Sequence, residues 1–472
     1  MKKYTHYIIA LIIGLVLLFA LPETNGLTNL GVRAIAVMVP ILYLWLTTNT
    51  HWVAILSLAL LILTQVSPPN VIWATSFGHF VVPTIICFMV LNECLRETGV
   101  IHKIAIWFIT RPFVKGRPIM FLSMFMLSST VIGQFMDNMS LAIIYIGIAA
   151  VLCEEMGYKK GDPFYTAMFI AVLWPNVVYS ISSPIAHALP NILMGVIESQ
   201  TGIVISYGQW LAVGLPFAAV MFVVMVLVMR LWNPDSEKFR NFDMATVKNP
   251  PLKKEGKIAA VVFILVILMI ILPEVLKTAL PGITGVIRSW GVVVPAIFAI
   301  AILSIINVQG KPIMDFPKCT KAIPLPAVLF AGIVSCFAPI ISAESTGISA
   351  WMGNSLRPIF EGMPVLAVVI IMIICATIMT NFLSNTVTMV LFFNLGVALL
   401  ATANYNMGAF GIIIGLAASM AACTPSAAVP SPLFFGPEHI TMKNSLKWNT
   451  IFIVVSMIVI IVGVVPFANA LL

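Results

Sequence analysis

Ser384-Asn385-Thr386 stands in the middle of an otherwise apolar stretch, 363–404, and Asp137-Asn138-Met139 stands in the middle of another, 119–153. A helix in hydrocarbon satisfies every backbone N–H and C=O internally, so a polar triplet at its centre marks a break into two half-helices. The freed backbone groups are tolerated at that depth only where they line a cavity. A second break signal follows each triplet: Ser183-Pro184 after the first and Thr424-Pro425 after the second, both ending an apolar run. Proline stops a helix and has no N–H to leave unpaired.

The rest of the chain has the composition that such breaks require. Of 472 residues, 61% are hydrophobic and only 9% are charged, where a soluble chain has about a quarter charged. Apolar runs long enough to cross ~30 Å of hydrocarbon recur from end to end. They predict an all-α polytopic membrane protein with about 11 transmembrane helices and two re-entrant hairpins. The spans are 7–22, 30–47, 51–66, 78–95, 164–181, 209–232, 257–276, 288–306, 323–342, 408–423 and 449–469, with the hairpins at 119–153 and 363–404. The first segment resembles a signal peptide but has no small-x-small cleavage site, so it reads as a retained helix.

The net charge of +8 lies in short loops between apolar runs, which is the positive-inside signature and not a nucleic-acid surface. With the N-terminus in the cytoplasm, all Lys and Arg except Arg33, Lys277, Arg288 and Arg357 fall inside. The orientation expected is therefore a bacterial plasma membrane, multi-pass, N-terminus cytoplasmic and C-terminus extracytoplasmic. The seven cysteines form no CxxC and lie mostly in apolar runs, as small hydrophobes do.

The two triplets belong to an internal repeat. Arg96-Glu97-Thr98-Gly99-Val100-Ile101 matches Glu344-Ser345-Thr346-Gly347-Ile348-Ser349 at an offset of 248; the triplets match at 247 and the Ser/Thr-Pro pairs at 241. Three ordered matches at a nearly constant offset mark a duplicated unit. The polar, proline-containing stretch Asn233–Gly256 falls at the seam. The organisation expected is an N-terminal helix (1–29), a first repeat (30–232), a cytoplasmic linker (233–256) and a second repeat (257–472). An odd number of crossings per unit inverts the second copy, so the first hairpin opens inward and the second outward, the plan of secondary transporters.

Half-helix N-termini carry partial positive charge and unpaired N–H groups that attract carboxylates. Half-helix C-termini and unwound carbonyls hold small cations. Asn offers a donor and an acceptor, and Thr a short hydroxyl. Neither triplet and neither Ser/Thr-Pro segment contains Lys or Arg, so a buried anion must be met by helix dipoles, co-bound cations or a titratable group. Asp137 and His187 are the titratable candidates, a lone intramembrane Asp being functional by default. His187, about one turn beyond Pro184, has the alternative of bonding a backbone carbonyl. Glu93 and Glu97, with Arg96 beside them, read as interfacial.

These residues resemble the divalent anion/sodium symporter family of dicarboxylate and citrate transporters, over essentially the whole chain. Its hallmark is a Ser-Asn-Thr triplet in each of two re-entrant hairpins and a Ser/Thr-Pro motif after each. Ser384-Asn385-Thr386 and Thr424-Pro425 match in full; in the first set Asn138, Ser183 and Pro184 match, but Asp137 replaces Ser and Met139 replaces Thr. The resemblance implies substrate carboxylates held by Asn138, Asn385, Thr386, Ser183 and Thr424, with Met139, Pro184, Ser384 and Pro425 completing the binding segments. It also implies a homodimer that moves its substrate domain as an elevator. In sodium-driven members each triplet helps build one sodium site, with a hydroxyl four residues earlier and a carbonyl before the Ser/Thr-Pro. The second set keeps Thr380, Ser384, Asn385 and the Cys423 carbonyl, so Na+ is the ion expected there. The first has the Ser182 carbonyl but Gly133 and Asp137 in place of hydroxyls. Asp137 can bind a cation, pair with His187 or carry a proton.

The function expected is a secondary active transporter exchanging small dicarboxylates of the succinate, fumarate and 2-oxoglutarate class, with the lipid bilayer and a second copy as partners and no enzymatic cofactor. The alternatives are sodium-coupled symport of the same anions, and carriage of an inorganic divalent anion such as sulfate. No HExxH, GxSxG or DDxxD-like run is present to support an enzyme, and a channel is the remaining class.

Overall fold

The computed structural model describes residues 2–48, 52–185, 187–242, 249, 251–276, 278–323, 325–360, 362–400, 403, 405–424, 430–435 and 439–472. The first half holds α1 (Lys2–Ala20), α2 (Asn29–Thr48), α3 (Val53–Leu63), α4 (Pro69–Thr75), α5 (Val81–Glu97), α6 (Val100–Ile109), α7 (Pro118–Gly133), α8 (Asn138–Glu155), α9 (Pro163–Ser182), α10 (Ala188–Thr201) and α11 (Tyr207–Trp232). The second holds α12 (Lys254–Val275), α13 (Pro281–Ser289), α14 (Val293–Ile305), α15 (Leu325–Ser342), α16 (Ile348–Phe360), α17 (Val365–Thr380), α18 (Asn385–Leu400), α19 (Met407–Ser419), α20 (Ser431–Phe435) and α21 (Thr450–Val459). The last runs on to Leu471 through a π-helical turn at Ile460–Val464. Helix starts follow local chemistry: Pro69, Pro118, Pro163 and Pro281 each open a helix, where the missing N–H costs nothing. Ser206 and Gln209 form a capping box ahead of α11.

A helix occupies each predicted apolar run, with one difference. The run 288–306 is not a single rod: Gly291 adopts φ 64°, and α13 and α14 meet there at 74°. A left-handed glycine ends a helix cheaply, and the apolar average of the run conceals it.

The features that recur in sequence recur in shape. Gly99 between α5 and α6 has φ 75°, and Gly347 between α15 and α16 has φ 64°. The polar interruptions lie at 134–137 between α7 and α8, and at 381–384 between α17 and α18. Tyr145 donates its hydroxyl to Ser128 Oγ at 2.8 Å. The two residues are nearly equidistant from the break, so α8 folds back along α7 as the second arm of a hairpin. The α17–α18 pair also packs arm against arm.

Two apolar cores form. The smaller joins α1–α4 to α15 and the start of α16, through Val32, Ile41, Leu58, Ile72, Ile333 and Phe337. The larger holds both hairpins, α9–α11, α19 and α21. At the end of α5, Arg96 Nε bonds Glu93 at 2.7 Å and the guanidinium also reaches Glu97, which in turn pairs with Lys318 across the halves. The Glu97 carboxylate raises the pKa of Lys318 above its ordinary value, but an exposed pair of this kind contributes little stability.

Gly347 offers a test of the packing. A β-carbon there would lie 1.9 Å from the Gly26 carbonyl oxygen, whereas one on Gly99 would meet nothing within 4 Å. Ala at either position carries the left-handed cost of roughly 1–2 kcal/mol, but only Gly347→Ala adds a backbone clash. In thermal unfolding of the detergent-solubilised protein, Gly347→Ala is expected to lower Tm clearly more than Gly99→Ala. Equal shifts would show that the α15–α16 turn does not seat against Gly26.

Candidate functional site

Both tips are tied to the unwound segment that follows in the same half. In the first, α7 ends at Gly133 and α8 begins at Asn138. Asp137 caps α8, its carboxylate accepting the Ser140 N–H at 2.9 Å, which satisfies one of the four N–H groups a helix start leaves unpaired. The Asn138 carbonyl accepts from Asn176 Nδ2 at 2.7 Å. Gln134 donates to the Thr130 carbonyl at 3.1 Å and accepts from Ser182 Oγ at 2.9 Å. His187 Nε2 lies 2.6 Å from the Gly133 carbonyl; facing a carbonyl, this nitrogen carries the proton. The backbone-bonding alternative for His187 is therefore the one observed, and Asp137 turns to its own helix instead of pairing with it.

The substitution at Gly133 has a steric cause. A β-carbon there would stand 2.2 Å from the Tyr179 ring, and that ring lies 5.7 Å from the His187 ring. The space that a hydroxyl side chain would use is filled by an aromatic from α9.

Past α9 the chain unwinds at Ser183-Pro184. Trp210 Nε1 holds the Ile181 carbonyl at 2.8 Å, and Asn191 Nδ2 holds those of Pro184 and His187 at 2.7 and 2.6 Å. Ser183 is buried, its Oγ accepting from Ile185 N at 3.2 Å. Gly214 of α11 is needed here, because a β-carbon would sit 1.9 Å from the Ser182 carbonyl oxygen.

At the second tip, Thr380 Oγ1 lies 2.9 Å from Asn385 Oδ1 and also reaches the Ala418 carbonyl. Three oxygens thus converge at the end of α17. The carbonyl beside Thr380 is that of Ala418; Cys423 presents its N–H to Asn381 Oδ1 at 2.9 Å. Asn381 also accepts from Ala422 N at 3.0 Å, and donates to the carbonyls of Thr377 at 2.8 Å and Met420 at 3.0 Å. The Asn381 carbonyl accepts from Thr424 Oγ1. Ser384 is exposed at the tip, Asn385 is buried, and Met139 and Thr386 are half-buried. Pro425 lies outside the described residues.

The two halves are joined by α9, α10, α18 and α19, which pack on one another. Among the described residues no hydrogen bond runs directly from one tip to the other. Trp174 on α9 donates to Asn449 Oδ1 at 2.8 Å, and Asn449 Nδ2 donates to the Ala422 carbonyl at 2.7 Å, so α9 also braces the second unwound segment. Gln134, Asn176, Tyr179, Asn381 and Asn449 escaped the sequence reading. Gln134 and Asn381 carried a usable signal: they share the triplets' offset of 247, as do Thr130 and Thr377.

Gly133 and Tyr179 yield a paired prediction. Gly133→Ser is expected to abolish transport in reconstituted vesicles, because the ring has no other place, and Gly133→Ser with Tyr179→Ala to recover a measurable part of it. Full activity in the single variant would show that the ring is not held against the tip.

Comparison with known proteins agrees with this architecture. The citrate transporter family profile matches residues 40–415. The sodium-dependent dicarboxylate transporter SdcS of Staphylococcus saprophyticus is 23% identical over 98% of this chain and 93% of that protein. The Na(+)/dicarboxylate cotransporter 3 of Rattus norvegicus is 26% identical over 35% of this chain and 27% of its own length. In fold, the chain resembles the crystal structure of the Alcanivorax borkumensis YdaH transporter, with a TM-score of 0.55 at 10% identity, over 83% of this chain and 87% of that one. Hairpins with polar tips, unwound partner segments and a family match across most of the chain lead to one assignment: this is a multi-pass membrane transporter of the citrate transporter family, within the divalent anion/sodium symporter group.

Proposed function

We propose that the protein exchanges small dicarboxylates across the membrane, of the succinate, fumarate and 2-oxoglutarate class, without requiring a sodium gradient. The substrate lies between the two hairpin tips, with Asn138, Ser183, Asn385, Thr386 and Thr424 around it. The two halves act as inverted repeats with re-entrant hairpins, and the larger core moves as an elevator in a homodimer.

The observation that carries this reading is the first tip. A sodium ion wants several hard oxygens at once. Here the hydroxyl side chain is absent, the Tyr179 ring covers Gly133, and the Gly133 carbonyl already has a donor in His187. A donor where a cation would need an acceptor works against an ordinary sodium site. The anion's charge is met instead at the N-terminus of α18, worth roughly half a positive charge, because the Asp137 carboxylate already occupies that of α8. One such terminus does not neutralise a dianion. Exchange tolerates this, since a dianion crosses in each direction and no net charge moves per cycle.

Sodium-coupled symport is the second reading, and one observation favours it. Thr380 Oγ1, Asn385 Oδ1 and the Ala418 carbonyl converge at the second tip, and the relatives SdcS and cotransporter 3 are named as sodium-dependent or sodium cotransporters. Sulfate accepts the same hydrogen bonds as a carboxylate, so an inorganic divalent anion is a third.

Counterflow of labelled succinate in proteoliposomes separates them. Exchange predicts rates equal within about twofold in sodium and choline buffers, with unlabelled fumarate and 2-oxoglutarate competing and sulfate not. A strict sodium requirement would reject the exchanger. Asp137→Ser keeps a good helix cap and is expected to change the cation dependence of transport; an unaltered profile would make Asp137 a helix cap and nothing more.

A further inference from the structure

The first residue of each break is a buried amide, Gln134 in one half and Asn381 in the other, and the two are used unequally. Gln134 ties its tip to a side chain, Ser182 Oγ. Asn381 ties its tip to backbone: its Oδ1 takes the consecutive N–H groups of Ala422 and Cys423, and its Nδ2 takes the Met420 carbonyl. We propose that Asn381 is the positioning residue of the second half-site, fixing the path of the unwound segment 420–424 and so the place where Thr424 meets the substrate. Gln134 has the weaker counterpart role. The proposal rests on the reading of Thr424 as a substrate-binding residue, which Asn381 serves without touching the anion.

The chemistry of the segment gives the reason. Beyond Ser419 the chain leaves the helix: the N–H groups of Met420 and Ala421 still reach the carbonyls of Ala417 and Ser419, but those of Ala422 and Cys423 turn to Asn381. Two successive N–H groups facing one way form a concavity that attracts anions. With Asn381 Oδ1 seated in it, that concavity is not open to the substrate, and Thr424 is turned back on the Asn381 carbonyl by its own hydroxyl. One residue therefore sets both, its side chain the backbone path and its main-chain carbonyl the direction of Thr424. In the first half the same task is divided among Gln134, Trp210, Asn191 and the close seat that Gly214 provides, so no single residue dominates there.

Cys423 supplies a reporter inside the segment. It is half-buried, as is Cys375 in α17, while the other five cysteines are buried. The experiment follows alkylation of the purified full-length protein by N-ethylmaleimide, resolved by site with mass spectrometry. Asn381→Leu removes all the side-chain bonds and is expected to speed modification of Cys423 about tenfold, with Cys375 unchanged. Asn381→Asp keeps the acceptors for Ala422 and Cys423 N–H and is expected to hold the rate near that of the parent protein. Gln134→Leu is expected to leave Cys423 unaffected. In transport, Asn381→Leu is expected to raise KM for the carried anion at least about fivefold, with a smaller fall in Vmax. The proposal is overturned if Cys423 reacts at the parent rate in Asn381→Leu, or if Cys375 accelerates by the same factor, which would mean general loosening. The alkylation result does not depend on which anion is carried, so an error in substrate class leaves it readable.

Discussion

An interrupted helix in hydrocarbon has backbone groups that neither water nor its own turns can satisfy, and the protein must bring partners to them. Here the partners are side chains: His187 on the Gly133 carbonyl, Trp210 on that of Ile181, Asn191 on that of Pro184, Asn449 on that of Ala422. An unpaired buried group costs about 1–3 kcal/mol, so four left without partners would approach the whole stability of a domain. The breaks persist because these side chains satisfy the freed backbone, and each is placed by a neighbouring element. Glycines complete the arrangement where backbone must approach backbone, as Gly214 does beneath Ser182.

The two halves meet this requirement with different means, and the difference bears on function. The second tip keeps converging oxygens around Thr380, while the first has closed its space with the Tyr179 ring and turned His187 onto the Gly133 carbonyl. On the proposed function, two tips built this differently make unequal demands on ions. The first tip is held by groups that belong to the protein; at the second, three oxygens stand together.

Composition and triplets made the helical fold and the position of the two breaks legible, because both follow from local rules. An apolar run of twenty residues has one outcome in a bilayer, and polar residues in its middle announce a break. The repeat offset located Gly99 and Gly347 in matching left-handed turns. What stayed hidden depends on residues distant in sequence. That Gly133 lies under Tyr179, that His187 reaches back 54 residues to a carbonyl, and that Asn449 braces Ala422 across the core are matters of tertiary packing. The bend at Gly291 was missed for another reason, since averaging hydropathy over a window erases a single left-handed residue.

Asn381 shows how such a residue could be found in advance. It is polar, lies at the end of an apolar helix, and sits one position beyond Thr380, which attracted attention as a cation ligand. A break of four residues in hydrocarbon needs a donor and an acceptor within reach of both its flanks, and an amide offers the two on separate atoms without charge. The first residue after the helix is where such a side chain can still reach back to its own last turn, as the Thr377 and Thr130 bonds do, while its other atoms face the neighbouring segment. An Asn or Gln at that position therefore follows from the geometry of breaking a helix where there is no water, as Gln134 and Asn381 both show.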